Sequence, residues 1–221
     1  MGADFMIKAV FFDLDGTLID SAPDLAGTAN QMRVKRGLPP IDVKAYYPLA
    51  GLGPRGMLRV AFGVWPEDEG FAELQDEYFD LYEQCMTDLT QPYPEVPGVL
   101  DFLKDNGIAL GVITNKLERF ALPIVARVFS KYPVRVNIAG NTLAFKKPHA
   151  EPALEAARRL GVAPSQCLMV GDDLRDIETG RKAGMRTAAV TWGYQEADFD
   201  YASLNADYVI DRPGQILDLL R

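Results

Sequence analysis

An apolar run from Ile7 to Phe12, broken only by Lys8, ends in two carboxylates two residues apart, Asp13 and Asp15. A run of that kind reads as a buried strand, and Gly16 then breaks it and opens a turn. Residues i and i+2 of a strand point to the same side, so both acids emerge together at the strand's carboxyl end. That is where open α/β sheets bind their ligands. Two like charges so close are costly unless a cation or a shared proton relieves them. The feature therefore predicts an α/β sheet whose first strand delivers acids to a site.

The rest of the chain fits that sheet from Val96 onward. Val99 to Asn106 is a short helix closed by Gly107, a C′ glycine, and Ile108 to Ile113 a buried strand. Leu117 to Phe129 is helical, Val134 to Ile138 a strand, and Glu151 to Leu160 a helix closed by Gly161. Cys167 to Val170, Thr187 to Val190 and Tyr208 to Ile210 are strands, with a helix over Ile177 to Ala183 between the first two. Alternation of this kind implies a parallel sheet with helices on both faces. Ser21 to about Tyr93 is patterned differently. Phe71, Leu74, Tyr78, Leu81 and Tyr82 fall at helical spacing, as do Met57, Leu58 and Ala61, and both stripes are expected to be helix–helix core. Asp20-Ser21-Ala22-Pro23-Asp24 reads as a helix start, with Ser21 as cap and Asp24 as a capping-box acid. Pro92, Pro94 and Pro97 punctuate its far end. The expected architecture is a doubly wound parallel α/β core, residues 1–20 and 94–221, with a helical cap domain, 21–93, inserted after the first strand.

Bulk properties narrow the partners. The chain has 221 residues and an apolar share of 48%, ordinary for a globular protein. Its net charge of −8 argues against nucleic acid or an anionic membrane surface as partner. With no signal peptide and no apolar run near ~18 residues, the expected location is the cytoplasm. Cys85 and Cys167 are too few and too isolated for a disulfide framework. Met6-Ile7-Lys8 is an alternative start, which would make Met1 to Phe5 an extension. The single histidine, His149, argues against zinc and other metal sites that need several His ligands, and it reads as a loop residue. Neither cysteine has an arginine six residues on, which excludes a Cys-x5-Arg phosphate loop.

Four polar signals fall at the ends of the expected core strands. They are Asp13-Leu14-Asp15, Thr114-Asn115 with Lys116, Lys146-Lys147-Pro148, and Gly171-Asp172-Asp173-Leu174-Arg175-Asp176. Parallel strands present their carboxyl ends at one edge, so these signals can converge. The acids supply hard oxygen ligands suited to Mg²⁺. The hydroxyl, amide and lysine supply donors for the oxygens of a phosphoryl group.

In type, order and context these four segments resemble the signature loops of the haloacid dehalogenase-like hydrolase superfamily. The resemblance spans Asp13 to Asp176. It implies that Asp13 is the nucleophile, forming an aspartyl-phosphate. Asp15 is then general acid to the leaving alkoxide and general base for the hydrolytic water. It implies Mg²⁺ held by the Asp13 carboxylate, the Asp15 backbone carbonyl and Asp172, with Asp176 supporting that shell. Thr114 and the Asn115 backbone would grip phosphoryl oxygens, and Lys147 would offset charge. Lys146 competes for that role, but the lysine directly before the proline fits the family pattern better. Asp173 stands where many relatives carry Ser or Thr; with Arg175 it reads as a surface or helix-start residue.

Gly51-Leu52-Gly53-Pro54-Arg55-Gly56 spells a dinucleotide fingerprint, yet it lies inside the helical segment with no strand on either side. It reads instead as a cap loop, with Arg55 placed to meet a substrate anion. Asp15 separates this chain from the dehalogenases of the superfamily, which lack an acid there and need no metal. Arg36 to Ile41, Gly70 to Leu74, Val112 to Lys116 and Val170 to Gly184 resemble the phosphoglycolate phosphatase-like branch, which includes N-acetylmuramic acid 6-phosphate phosphatases. The implied substrate is a small phosphorylated acid or sugar acid. The alternatives are a phosphoglucomutase-like phosphotransferase and a non-catalytic binding or regulatory protein on the same scaffold. Oligomeric state is left open.

Overall fold

The computed structural model describes residues 6–220; Met1 to Phe5, the candidate extension, lie outside them. The chain forms two compact units, one made of the chain up to Ile19 and from Pro92 onward, the other of Asp20–Gln91.

The first unit is a six-stranded parallel sheet. Its strands are β1 (Ala9–Phe12), β4 (Ala109–Ile113), β5 (Val134–Ile138), β6 (Cys167–Gly171), β7 (Arg186–Val190) and β8 (Tyr208–Ile210). Two-residue strands, β2 (Ile19–Asp20) and β3 (Gln91–Pro92), mark the passages between the units. The sheet order is β5-β4-β1-β6-β7-β8. The chain thus builds outward from β1 to one side and then returns to build out to the other, which makes β1 the topological switch point. All four residues of β1 are buried, as a parallel sheet covered on both faces requires. Helix α5 (Val96–Asp105) packs on β4, α7 (Glu151–Leu160) on β4 and β5, and α8 (Leu174–Lys182) on β6 and β7. Helix α6 (Glu118–Val128) follows β4. Phe11, Ile113 and Met169 from three adjacent strands share one core with Ala153, Ala156 and Ala157 of α7.

Periodicity placed these elements to within a few residues. Gly107 (φ 66°) and Gly161 (φ 67°) end α5 and α7 in the left-handed conformation, which glycine adopts without steric cost. Two helices begin earlier than expected. Helix α5 starts at Val96, so Pro97 sits inside its first turn, where a missing N–H costs nothing. Helix α8 starts at Leu174, because Asp173 and Asp176 cap it reciprocally.

The second unit holds α1 (Ala22–Lys35), α2 (Tyr47–Ala50), α3 (Pro54–Phe62) and α4 (Phe71–Cys85). Helix α1 packs on α3 and α4, and Met57, Leu58, Ala61, Phe71, Tyr78, Leu81 and Tyr82 are buried there. Leu74 of the expected stripe is only partly buried. The expected capping box at Ser21 does not form. Ser21 occupies the N-cap position without a side-chain cap, and Asp20 Oδ1 accepts from Ala22 N at 3.1 Å instead. The buried Asp24 carboxylate is used elsewhere. It accepts from Leu89 N at 3.0 Å, Thr90 N at 2.8 Å and the Thr90 hydroxyl at 2.7 Å, tying α1 to the end of the unit. A long-range claim of that kind leaves no local sequence signal. The segment expected as a cap loop at Gly51–Gly56 is also corrected. Pro54 opens α3, so Arg55 lies exposed in a helical first turn. A Cβ on Gly56 would come within 2.0 Å of the Leu49 carbonyl, so glycine here serves the close packing of α2 against α3.

Candidate active site

The site lies at the carboxyl end of β1. Phe12 is level with Val112 of β4 and Val170 of β6, and Asp13 N continues the ladder by donating to Val170 O at 2.9 Å. The segments after β4 and β6 therefore flank Asp13 on its two sides. The turn that follows β1 depends on Gly16. Its φ is +81°, and a Cβ there would stand 2.6 Å from Asp172 Oδ2.

Lys147 is the central cation. Its side chain is 3% exposed, and its Nζ lies 2.7 Å from Asp13 Oδ1 and 2.6 Å from Asp176 Oδ1. Burial alone would lower its pKa, but the Asp13 and Asp176 charges outweigh that and raise it. Lys146, the competitor, is exposed. The loop that carries Lys147 is fastened by Asn115, whose Nδ2 donates to Lys147 O and whose Oδ1 accepts from Lys147 N, both at 3.0 Å. The Asn115 side chain thus positions the lysine rather than facing a ligand. Thr114 is buried, and its Oγ1 accepts from Lys116 N at 3.2 Å, which leaves its own proton to donate.

Among the described residues, Asp13, Asp172 and Asp176 place carboxylate oxygens within 4.8 Å of one another. Burial, followed by the charges of Asp13 and Asp176, raises Asp172 well above the usual carboxylate range. Burial also raises Asp176, against the pull of Lys147. Ionising all three acids beside one lysine would leave excess negative charge in a dry place, which a divalent cation would relieve. The donor set fits a hard cation. Asp13 Oδ1 accepts no aligned hydrogen bond from another side chain although it is buried, even at ion-pair distance from Lys147. Asp172 is held by the Thr17 hydroxyl at 3.2 Å and Tyr194 N at 3.1 Å. Asp176 is less free, since Oδ1 meets Lys147 and Oδ2 accepts from Asp173 N at 3.1 Å. Asp13, Asp172 and Asp176 are thus the candidate ligand set, with Asp176 also tied to Lys147.

Asp173 caps α8 by accepting from Arg175 N at 2.8 Å, and pairs with the Arg175 side chain at 2.7 Å. Burial would raise its pKa, but Arg175 holds it below the usual range. His149 is an exposed loop residue whose ring stacks on Phe145 at 4.3 Å and whose Nδ1 accepts from Glu151 N. Arg55 belongs to the other unit, in the first turn of α3. Two groups of contacts carried no forecast. The segment after β7 supports the site, with Trp192 Nε1 donating to Thr17 O at 3.1 Å and Gln195 Nε2 to Asp172 O at 3.1 Å. Its only signal was its place after a strand. Lys116 Nζ reaches both carboxylate oxygens of Asp15, at 3.0 and 3.1 Å; it adjoins Thr114-Asn115, but nothing in the sequence pairs it with Asp15.

Residues 10–190 match the family described as haloacid dehalogenase-like hydrolase. The chain is 40% identical over 214 residues to an N-acetylmuramic acid 6-phosphate phosphatase of Pseudomonas aeruginosa, covering 97% of this chain and 95% of the relative. It is 42% identical over 209 residues to a phosphoglycolate phosphatase of Xanthomonas campestris pv. campestris, covering 95% and 94%. Among solved structures, a "predicted phosphoglycolate phosphatase" from Haemophilus somnus superposes with a TM-score of 0.85 at 27% identity, over 100% of both chains.

Proposed function

The chain belongs to the haloacid dehalogenase-like hydrolases, and from that premise we propose that it is a Mg²⁺-dependent phosphomonoester hydrolase working through an aspartyl-phosphate on Asp13. The observation that carries this reading is the buried cluster of Asp13, Asp172 and Asp176 around Lys147. Asp13 and Asp172, with the Asp15 backbone carbonyl, would hold Mg²⁺, which when bound neutralises charge on the phosphoryl group and the nucleophile. An Asp13 oxygen attacks phosphorus as the ester P–O bond breaks, and the Asp15 carboxyl gives its proton to the departing alkoxide. In the second step Asp15 takes a proton from water. The water oxygen bonds to phosphorus, the acyl-phosphate P–O bond breaks, and inorganic phosphate and the Asp13 carboxylate are restored. Thr114 Oγ and the Asn115 N–H donate to phosphoryl oxygens throughout, and Lys147 balances the charge that gathers on them.

The Asp20–Gln91 unit is the proposed cap, excluding bulk water while the aspartyl-phosphate forms. No helix among the described residues is long and apolar enough to cross a membrane.

Mg²⁺ is expected to raise the melting temperature as well as to support phosphate release from an aryl phosphate. Saturation at a hundredfold excess over Kd is worth about 2.7 kcal/mol, or roughly 2–4 °C per kcal/mol for a chain of this size. Asp172→Asn should lose both the shift and the activity. Phosphate release that ignores Mg²⁺ and survives Asp172→Asn would overturn the metal assignment. No release under any condition would favour a binding scaffold.

The relatives act on 2-phosphoglycolate and N-acetylmuramic acid 6-phosphate by name, so a small phosphorylated acid or sugar acid is the proposed substrate class, with Arg55 reading its second anion. Arg55→Ala is expected to lower the preference for these two esters over neutral sugar phosphates by about tenfold, the value of one charge-assisted hydrogen bond. Competition between the esters measures this, and unchanged selectivity removes Arg55 from the account.

A further inference from the structure

The contact between Lys116 and Asp15 joins residues 101 positions apart across two adjacent strand ends. One Nζ reaches both oxygens of the carboxylate, and the pair is largely shielded from solvent, with side-chain exposures of 8% for Lys116 and 17% for Asp15. The Lys116 backbone is fastened on both sides. Its N–H donates to Thr114 Oγ1 at 3.2 Å, and its carbonyl accepts from Gly140 N at 2.8 Å. The chain around Asp15 is fixed as well, by an isolated bridge to Ile19 and by Gly16 N donating to Ile19 O at 2.9 Å. A short acid on a fixed turn and a lysine on a fixed strand end leave little freedom to the carboxylate between them.

We propose that Lys116 is the positioning residue of the acid/base group, holding the Asp15 carboxyl toward the leaving-group side so that Asp15 offers only its backbone carbonyl to the metal. The inference rests on the phosphatase reading given above. It explains how two acids two residues apart at one strand end come to do different work. Asp13 is turned onto Lys147 at 2.7 Å and Asp15 onto Lys116 at 3.0 Å. Each carboxylate has its own lysine, and the two lysines come from different loops. An ammonium group has three N–H donors, and Nζ engages both oxygens of the one carboxylate, at 3.0 and 3.1 Å, which fixes its plane.

Lys116 touches neither the phosphorus nor the ester oxygen in this scheme, so its removal should reveal itself through the leaving group. An aryl oxide departs without a proton, whereas an alkoxide needs one, and a positioned acid contributes roughly 10²–10⁴-fold. The experiment measures the first turnover of the Mg²⁺-loaded full chain, by rapid quench of the phosphorylated enzyme, on p-nitrophenyl phosphate and on a simple alkyl phosphate. It compares wild type with Lys116→Met, Lys116→Gln, Asp15→Asn and the double variant Asp15→Asn/Lys116→Met. Lys116→Met and Lys116→Gln should keep the aryl rate within a few-fold and lose about 10²-fold on the alkyl ester. The second substitution should cost nothing further once Asp15 is gone. Circular dichroism and melting identify any variant that fails to fold, and the two replacements of Lys116 guard against one being lost that way. Equal losses on both esters, or additive losses in the double variant, overturn the inference while leaving the phosphatase reading intact. A flat aryl-to-alkyl ratio in Asp15→Asn itself overturns the acid/base assignment and this inference together.

Discussion

Replacing Asp13 by asparagine is expected to cut phosphate release by at least about 10³-fold, because an amide has the shape of the carboxylate without its nucleophilic electron pair. The fold should survive. Asp13 keeps its backbone hydrogen bond to Val170, and Lys147 keeps Asp176 as counter-ion at 2.6 Å. The variant therefore separates chemistry from structure. Steady-state release from an aryl phosphate in the presence of Mg²⁺ measures the loss, and acid quench during turnover should trap a phosphorylated chain in the wild type only. A melting temperature within a few degrees of wild type is the control. Activity that persists in Asp13→Asn would remove Asp13 as nucleophile, and attention would turn to direct attack by water.

The largest effect on stability is expected at Lys147. Its side chain is buried against the partly buried Asp13 carboxylate and the fully buried Asp176 carboxylate, and Lys147→Met removes the cation while leaving the anions. Breaking a buried pair in this way costs about 3–5 kcal/mol, since an uncompensated charge stays behind. Denaturant titration of the metal-free protein reads this directly. The pH dependence has a definite sign. Asp172 and Asp176 already have pKa values raised by burial, and losing Lys147 raises Asp176 further. An acid whose pKa is higher in the folded than in the unfolded state favours folding when protonated. The deficit of Lys147→Met should thus be full above the raised pKa values and shrink as the pH falls through them. Adding Asp176→Asn to Lys147→Met should recover part of the loss, because the orphaned charge goes with it. A deficit under about 1 kcal/mol and independent of pH would mean that the cluster is far wetter than its burial indicates.

What the sequence showed and what it hid divide along physical lines. Strands β1, β5 and β8 were legible as short apolar or alternating runs, and helix ends were legible where glycine marked them, as at Gly107 and Gly161. The capping box that the sequence predicts at Ser21 does not form, because Asp24, which has the right spacing for it, is claimed by Leu89 and Thr90, far along the chain. Two glycines in the four positions before Arg55 signal a loop, yet Pro54 starts a helix there. Lys146 and Lys147 are adjacent and chemically alike, and the structure separates them by burying Lys147 against Asp13 and Asp176 while Lys146 stays exposed.

By itself the sequence determined the fold class and the neighbourhood of the chemistry. A buried strand ending in acids, followed by alternating helices and strands, leaves few architectures open, and parallel strands send their carboxyl ends to a common edge. Tertiary structure decided the rest. Strand order put β1 between β4 and β6, so Thr114 and Asp172 stand on either side of Asp13. Lys147 went to Asp13 and Lys116 to Asp15. Side-chain pairing of that kind depends on distances of a few ångströms between segments more than a hundred residues apart, and spacing along the chain holds no record of them.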